Sequence, residues 1–285
     1  MLTAVMIRLE SGEYNQAMLP EVIRGAISDR VRGCMESVEV TPEIDSTNSE
    51  LLRRRAVSPG KGVALIAGYQ TAGRGRRGRA WIAVPGEVLC LSIGWTFAPP
   101  LPELSAMSLA AGICAARALR SLGLPGVALK WPNDLVANDR KLGGILIETR
   151  TEPQESVYAV IGIGVNLALQ EATRDHIKAS GTEPVDVRSL AESSESALPS
   201  SALVAAHLID TLVTGLMEFG AKGFAPFVAE WNAWDSLRMR PVLVQHNHGE
   251  ARGVARGIDS SGAILVETPR GLERFLSAEV SIRNV

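Results

Sequence analysis

Residues 70–81 read QTAGRGRRGRAW, and the choice of fold turns on what those glycines and arginines are for. Gly73-Arg74-Gly75-Arg76-Arg77-Gly78 satisfies the G-x-G-x-x-G spacing, a weak pattern by itself. A dinucleotide-binding fold would begin a helix here and place an acidic residue about 20 positions further on. Instead Val88 to Pro102 contains no acidic residue, and another strand-like run follows the loop. A phosphate-binding P-loop fails as well, because no Lys-Ser or Lys-Thr closes the glycines. What remains is a glycine loop carrying Arg74, Arg76, Arg77 and Arg79. Glycine lets backbone N–H groups approach an anion closely. Guanidinium forks bind carboxylate and phosphate bidentately. Like charges this dense repel one another until an anion arrives, so the loop is expected to be mobile and to order on ligand. For these residues alone, a solvated basic turn stays open.

Around the loop the chain is rich in apolar, β-branched runs: 63–69, 88–97, 127–131, 142–148 and 157–169, each bounded by Gly, Pro, Asn or Asp. A helix rich in Ala and Leu is expected over about 104–122, ending near Gly123 and Pro125. Runs this apolar suit strands covered by helices. The expected fold class is α+β: a central mixed sheet flanked by helices, followed by a C-terminal SH3-like small β-barrel of short strands from 238 onward. The expected organisation is a helical leader over 1–39, a catalytic domain over 40–237 and the barrel over 238–285. One helix is expected from Pro20 to Met35. The Ser- and Glu-rich stretch 170–200 reads as a loop or lid, and a helix is expected near 201–219.

Bulk properties exclude several function classes. A formal net charge of -2 gives no whole-molecule field toward nucleic acid or an anionic membrane. Cys34, Cys90 and Cys114 are odd in number and widely spaced, against a disulfide framework or zinc site. His246 and His248 read as a turn with surface imidazoles rather than a metal site. No signal peptide and no uncharged run of membrane-spanning length are read, so no membrane partner and a cytoplasmic location are expected. Lysine is scarce, with five among 29 basic residues, and Lys130 and Lys141 both fall in the motif region.

Four further segments carry chemistry. Lys130-Trp131-Pro132-Asn133-Asp134 brings charged groups out at a strand end, although a capped turn also fits. In Arg140-Lys141-Leu142-Gly143-Gly144-Ile145-Leu146-Ile147-Glu148, a lysine precedes a Gly-Gly strand along which a ligand can lie close. Gly162-Ile163-Gly164-Val165-Asn166 is a strand with two positions free of side chain. Ile44-Asp45-Ser46-Thr47-Asn48 looks like an N-cap opening a helix over 49–56.

These five segments, in this order and spacing, resemble the biotin protein ligase family, of the type without an N-terminal DNA-binding domain. The resemblance covers about residues 40 to 285. It implies a ligase that activates biotin with ATP and Mg²⁺ to biotinyl-5′-AMP, then transfers biotin to a lysine of a biotin carboxyl carrier protein. It implies no DNA partner and leaves a homodimer open. By resemblance Lys141 contacts carboxylate and α-phosphate, and Arg74, Arg76 and Arg79 shield charge over the adenylate, with Asn133 and Asn166 on its nucleotide part. Ser46, Thr47, Asn48 and Gln70 bind the ureido ring. Gly73, Gly75, Trp81, Gly143, Gly144, Gly162 and Gly164 shape the slot. Asp134, with Lys130, orients or deprotonates the acceptor lysine, and no metal ligand is expected because ATP carries the ion. Two rivals stand beside this reading: a lipoate or octanoate ligase or transferase of the same fold, and a nucleic-acid-binding module using the arginine loop.

Overall fold

The computed structural model describes residues 18–246, 249–276 and 281–284. Residues 1–17, 247, 248, 277–280 and 285 fall outside that range, and with His248 the reading of a histidine turn.

A seven-stranded mixed sheet is built from β1 (Met35–Ile44), β2 (Gly62–Gln70), β3 (Val88–Phe97), β4 (Val127–Lys130), β5 (Asp134–Ala137), β6 (Arg140–Thr151) and β7 (Val157–Asn166). The order across it is β1-β2-β3-β7-β6-β5-β4; only β1 and β2 run parallel, and the other pairs are antiparallel. The parallel pair needs a crossover, which is supplied by α3 (Thr47–Arg53). Helix α3 starts where the sequence places a cap: Ser46 Oγ accepts from Ser49 N at 3.4 Å.

Because side chains alternate across a strand, the sheet has two unlike faces. Leu89, Leu91 and Ile93 of β3, with Ile161, Ile163 and Val165 of β7, are buried in the main core. That face is covered by α4 (Met107–Ser121) and α7 (Ser201–Lys222), helices that pack on each other. Phe97 meets Phe219 of α7 edge-on, with ring centroids 6.3 Å apart. Each such side chain contributes about 1.5–3 kcal/mol by leaving water. The other face presents Cys90, Ser92 and Gly94, then Gly162 and Gly164, then Gly144, Leu146 and Glu148, as the register pairs them. At one end α3 caps it, with Leu51 against Val63, Leu65, Tyr158 and Val160. A Cβ on Gly94 would lie 2.0 Å from the Tyr158 hydroxyl, so glycine is what lets that ring lie across β3.

After α8 (Val228–Trp234), strands β8 (Pro241–His246), β9 (Gly249–Ile258), β10 (Ile264–Thr268), β11 (Gly271–Phe275) and β12 (Ser281–Asn284) form an antiparallel sheet ordered β11-β10-β9-β8-β12. This is the small β unit expected from the spacing of its turns, and its inner residues join the main core. Trp131 is the bolt between the two parts: it is 1% exposed and its indole N–H donates to Gly262 O at 3.1 Å. Asp235 lies at the same seam, in a stretch whose neighbour Ser236 N bonds Leu129 O. Burial raises the Asp235 carboxyl to about 6, against the pull of Leu237 N–H and Arg238.

Several expectations change. The single helix from Pro20 to Met35 is two short ones, α1 (Pro20–Ala26) and α2 (Asp29–Arg32), divided at Ser28. Ser28 caps α2, and both its N–H and its hydroxyl donate to Asp210 of α7, which pins the break. The sheet then begins at Met35, inside the stretch read as a helical leader. The stretch 170–200 is not a bare loop: it holds α5 (Glu171–Ala179) and α6 (Val187–Ser193), the latter capped by Asp186, which accepts from Ser189 N at 2.8 Å. Helix α7 is long and apolar enough to cross a membrane by length and composition, a feature the sequence reading did not register; its apolar residues line the core between α4 and the sheet.

Candidate active site

The arginine loop is a short hairpin. Trp81 N donates to Gly73 O at 2.9 Å, Arg74 bridges Ala80, and Gly75 N donates to Arg79 O at 2.7 Å. The tip is a 3₁₀ turn over Arg76–Gly78, in which Arg77 and Gly78 take positive φ. Gly73 is required at the base, where a Cβ would stand 2.6 Å from Trp81 O.

Lysine 141 reaches the site through a β-bulge. Asp134 pairs with Gly144 and Leu135 with Gly143, but Val136 pairs with Lys141, so Leu142 is the extra residue. In a regular strand Lys141 and Gly144, three apart, would face opposite ways. The bulge restores Lys141 to the glycine face, with its Nζ 3.7 Å from where a Gly144 Cβ would be. Its backbone is pinned as well: N donates to Glu183 O at 2.7 Å, and O accepts from Val185 N at 2.9 Å and Asn166 Nδ2 at 3.1 Å.

Across the sheet the register aligns Ala67, Cys90, Gly164, Gly144, Asp134 and Lys130 in one row. Lys141 Nζ donates to Asp134 Oδ1 at 2.7 Å. Arg76 Nη1 donates to Asn133 Oδ1 at 3.4 Å, while Asn133 Nδ2 is fixed on Ile145 O. Burial and the neighbouring Arg77 and Arg79 lower the Arg76 pKa, and Asp134 opposes them. A guanidinium held against like charge in a half-buried place is one that an anion would relieve. Arg74 meets the Glu148 carboxylate at 3.2 Å.

Trp81 lies against Gly164: a Cβ there would be 2.4 Å from two atoms of its indole. Lys141 Nζ is 5.8 Å from the centre of that ring. The trough is therefore bounded by Trp81, Lys141 and Arg76, over the side-chain-free positions Gly144 and Gly164. Cys90 in the floor is no nucleophile, since burial pushes its thiol up to about 12 despite Gln70 and Trp81. Further along, Thr47 N donates to Gln70 Oε1 at 2.7 Å, and Asn48 lies over Gly162. Asn48 Nδ2 donates to Glu148 Oε2 at 2.9 Å and to Leu146 O at 3.3 Å.

The structure thus gathers Ser46, Thr47, Asn48, Gln70, Gly73, Arg74, Gly75, Arg76, Trp81, Lys130, Asn133, Asp134, Lys141, Gly144, Gly162 and Gly164 on or beside one face. Gly143 it places on the other: a Cβ there would strike Gly164 O at 2.4 Å, and Leu135 lies beyond, so backbone packing explains that glycine and the slot does not. Asn166 spends its amide N–H groups on Lys141 O and Val185 O, holding the lysine's backbone. The Arg79 side chain is exposed on the outer arm of the hairpin. Three residues were not assigned from sequence: Glu148, Leu142 as the bulge, and Ser92. The last carried a signal, being a polar residue inside a strand of otherwise apolar floor.

Residues 40–166 match the Biotin/lipoate A/B protein ligase family, and residues 240–283 match the Biotin protein ligase C terminal domain. The chain is similar to the bifunctional ligase/repressor BirA of Escherichia coli (strain K12), at 37% identity over 268 residues, covering 93% of this chain and 81% of that one. It is 33% identical over 249 residues to the biotin--[acetyl-CoA-carboxylase] ligase of Paracoccus denitrificans, covering 83% and 96%. The biotin protein ligase from Aquifex aeolicus, solved in complex with biotin and ATP, superposes with a TM-score of 0.72 at 26% identity, covering 88% of this chain and 100% of that one. With both of its sheets matched and its motifs gathered on one face, the chain belongs to the biotin protein ligase family.

Proposed function

We propose that this protein activates biotin with ATP to biotinyl-5′-AMP and transfers the biotinyl group to a lysine of a biotin carboxyl carrier protein. The observation that carries this reading is the convergence of Lys141, Arg76 and Trp81 on one trough floored by Gly144 and Gly164. In the first step the biotin carboxylate oxygen bonds the α-phosphorus, and the bond to pyrophosphate breaks. No enzyme nucleophile is needed. The difficulty is bringing an anion to a polyanion, so preorganised positive charge and positioning supply the catalysis. Lys141, pinned by the bulge and by three backbone bonds, contacts carboxylate and α-phosphate. Arg74 and Arg76 exchange Glu148 and Asn133 for the reacting anions, and Trp81 closes the slot against water.

Magnesium belongs to this reading as an ion carried by ATP, where it neutralises phosphate charge. Asp134 and Glu148, the carboxylates at the trough, are each already bonded to a cation, which fits an ion held by the nucleotide better than one held by side chains. In the second step the acceptor amine attacks the acyl carbon and AMP leaves, so the amine must first lose a proton. Asp134 receives or orients that ammonium beside Lys130, which faces it across the β4–β5 pair.

Mass spectrometry of the protein mixed with biotin, ATP, magnesium and a carrier domain tests the whole reading. A gain on the carrier of one biotinyl group is expected. Gain only with lipoate or octanoate would move the protein to the lipoate branch, and no gain with any acid would refute a ligase.

A further inference from the structure

Lys141 lies beyond the end of the β6–β7 ladder, which begins at the pair Gly143 and Val165. On that side its backbone is met instead by residues 183–185, which run parallel to it: Lys141 N donates to Glu183 O, and Val185 N donates to Lys141 O. Where the ammonium points therefore depends on how firmly that stretch is held. Its anchor is the next residue, Asp186, a carboxylate 1% exposed. Oδ1 accepts from Ser189 N at 2.8 Å and caps α6. Oδ2 does a separate job that no cap requires: it accepts from Leu169 N at 2.7 Å and from the Arg174 guanidinium of α5. Arg174 in turn donates to Leu169 O at 3.3 Å and to Ser189 Oγ at 3.0 Å. One guanidinium thus ties α5, the chain leaving β7 and the start of α6 to a single carboxylate. A carboxylate this far from water needs a cation, and the structure pairs it with Arg174.

We propose that Asp186 and Arg174 are positioning residues: their ion pair fixes residues 183–185, which hold the Lys141 backbone at both its N–H and its carbonyl and so aim Nζ into the trough. This rests on the reading that Lys141 works on the reacting anions. Asp134 holds the far end of the lysine side chain at 2.7 Å, and the clip holds the near end. The pair acts through backbone hydrogen bonds and needs no contact with substrate. It should therefore govern how fast bound reactants react more than how tightly the acid is held.

The test uses Arg174→Met, which keeps the apolar stem and removes the charge, and Arg174→Lys, which keeps the charge. Arg174→Met combined with Asp186→Asn leaves no carboxylate unpaired, so it carries the comparison should the single variant not fold. In the unliganded protein, amide hydrogen exchange at Lys141 and Val185 is expected to quicken about 10-fold in Arg174→Met and in the double variant, and to stay near wild type in Arg174→Lys. In biotin-dependent ATP–pyrophosphate exchange, the first two should lose about 10- to 100-fold in kcat with the KM for biotin within about twofold, and Arg174→Lys should recover most of the rate. Introduced into Lys141→Ala, Arg174→Met should cost nothing further. Unchanged amide exchange at Lys141 and Val185, or an unchanged kcat, would overturn the assignment. An equal loss of rate with and without the Lys141 side chain would do so too, since the pair would then act elsewhere. Wild-type protein inert with biotin is a separate outcome: it refutes the ligase reading, and the positioning role falls with it.

Discussion

Along β7, Ile161, Ile163 and Val165 point into α4 and α7, while Gly162 and Gly164, one residue away, have no side chain at all. In β3 and β6 the same face carries Gly94 and Gly144 among Cys90, Ser92, Leu146 and Glu148, so the sheet is a partition between a helix-packed side and a side where the strands turn out their glycines and polar groups. The helix-packed side stabilises the fold through burial, and the other side carries Trp81 over Gly164 and Asn48 over Gly162, where side chains can lie against bare backbone. Lys141 and Arg76 stand beside those residues. A change on one face should therefore be read out as stability and a change on the other as catalysis.

The sharpest break in that comparison would come from Lys141. Lys141→Ala is expected to lower biotin-dependent pyrophosphate exchange by about 10³-fold, with thermal unfolding unchanged because the side chain contributes nothing to the helix face. Exchange that survives would remove Lys141 from the chemistry. Next is Asp134, on the same row. With preformed biotinyl-adenylate, Asp134→Asn should slow transfer to the carrier by about 10²-fold and slow adenylate formation less. Equal losses would confine Asp134 to its bond with Lys141.

Two adjacent residues compare the faces directly. Ile163→Ala should cost about 2–5 kcal/mol of stability with little change in the KM for biotin. Gly164→Ala should do the opposite, since its new methyl displaces the Trp81 indole: a rise in KM of about 10-fold with unfolding near wild type. If both variants lose stability and neither loses affinity, the partition is wrong.

The smallest effect lies at the seam, on neither face. Asp235 is held near 6 in the fold, above an unfolded value of about 3.9. The native state therefore keeps a proton that the unfolded chain has lost. Stability falls as pH rises from about 4 to 6 and levels off above, by at most about 3 kcal/mol for a two-unit shift. Asp235→Asn should flatten that slope, as read from urea midpoints between pH 4 and 7; an unchanged slope would show that the carboxyl stays ionised.

How far the sequence carried this picture follows from which interactions are local. The glycine–arginine loop, the Gly-Gly strand and the Ser46 cap declare themselves by residue type, because glycine and arginine are chosen for one backbone or one charge. Strand β1 was missed: its charges at Glu36, Glu39 and Glu43 and its Pro42 suit an edge strand but hide the alternation. Helices α5 and α6 are short and lie in a polar stretch with few apolar residues to mark them, and the Val185 bond to Lys141 joins residues far apart in the chain. The bulge at Leu142 is a matter of register with β5, which nothing within RKLGGIL displays. Gly143 and Gly144 look equivalent in the sequence, and only strand alternation assigns one to packing and the other to the trough. Glu148 and Ser92 acquire meaning through Asn48, which α3 delivers from about 100 residues before Glu148.

A double-mutant cycle on Arg76 and Lys141, read in biotin-dependent pyrophosphate exchange, tests most directly whether the rim cations act on one shared anion. If both groups stabilise the same reacting charge, Arg76→Ala combined with Lys141→Ala should lose far less than the product of the two single losses. Losses that simply multiply would contradict the account.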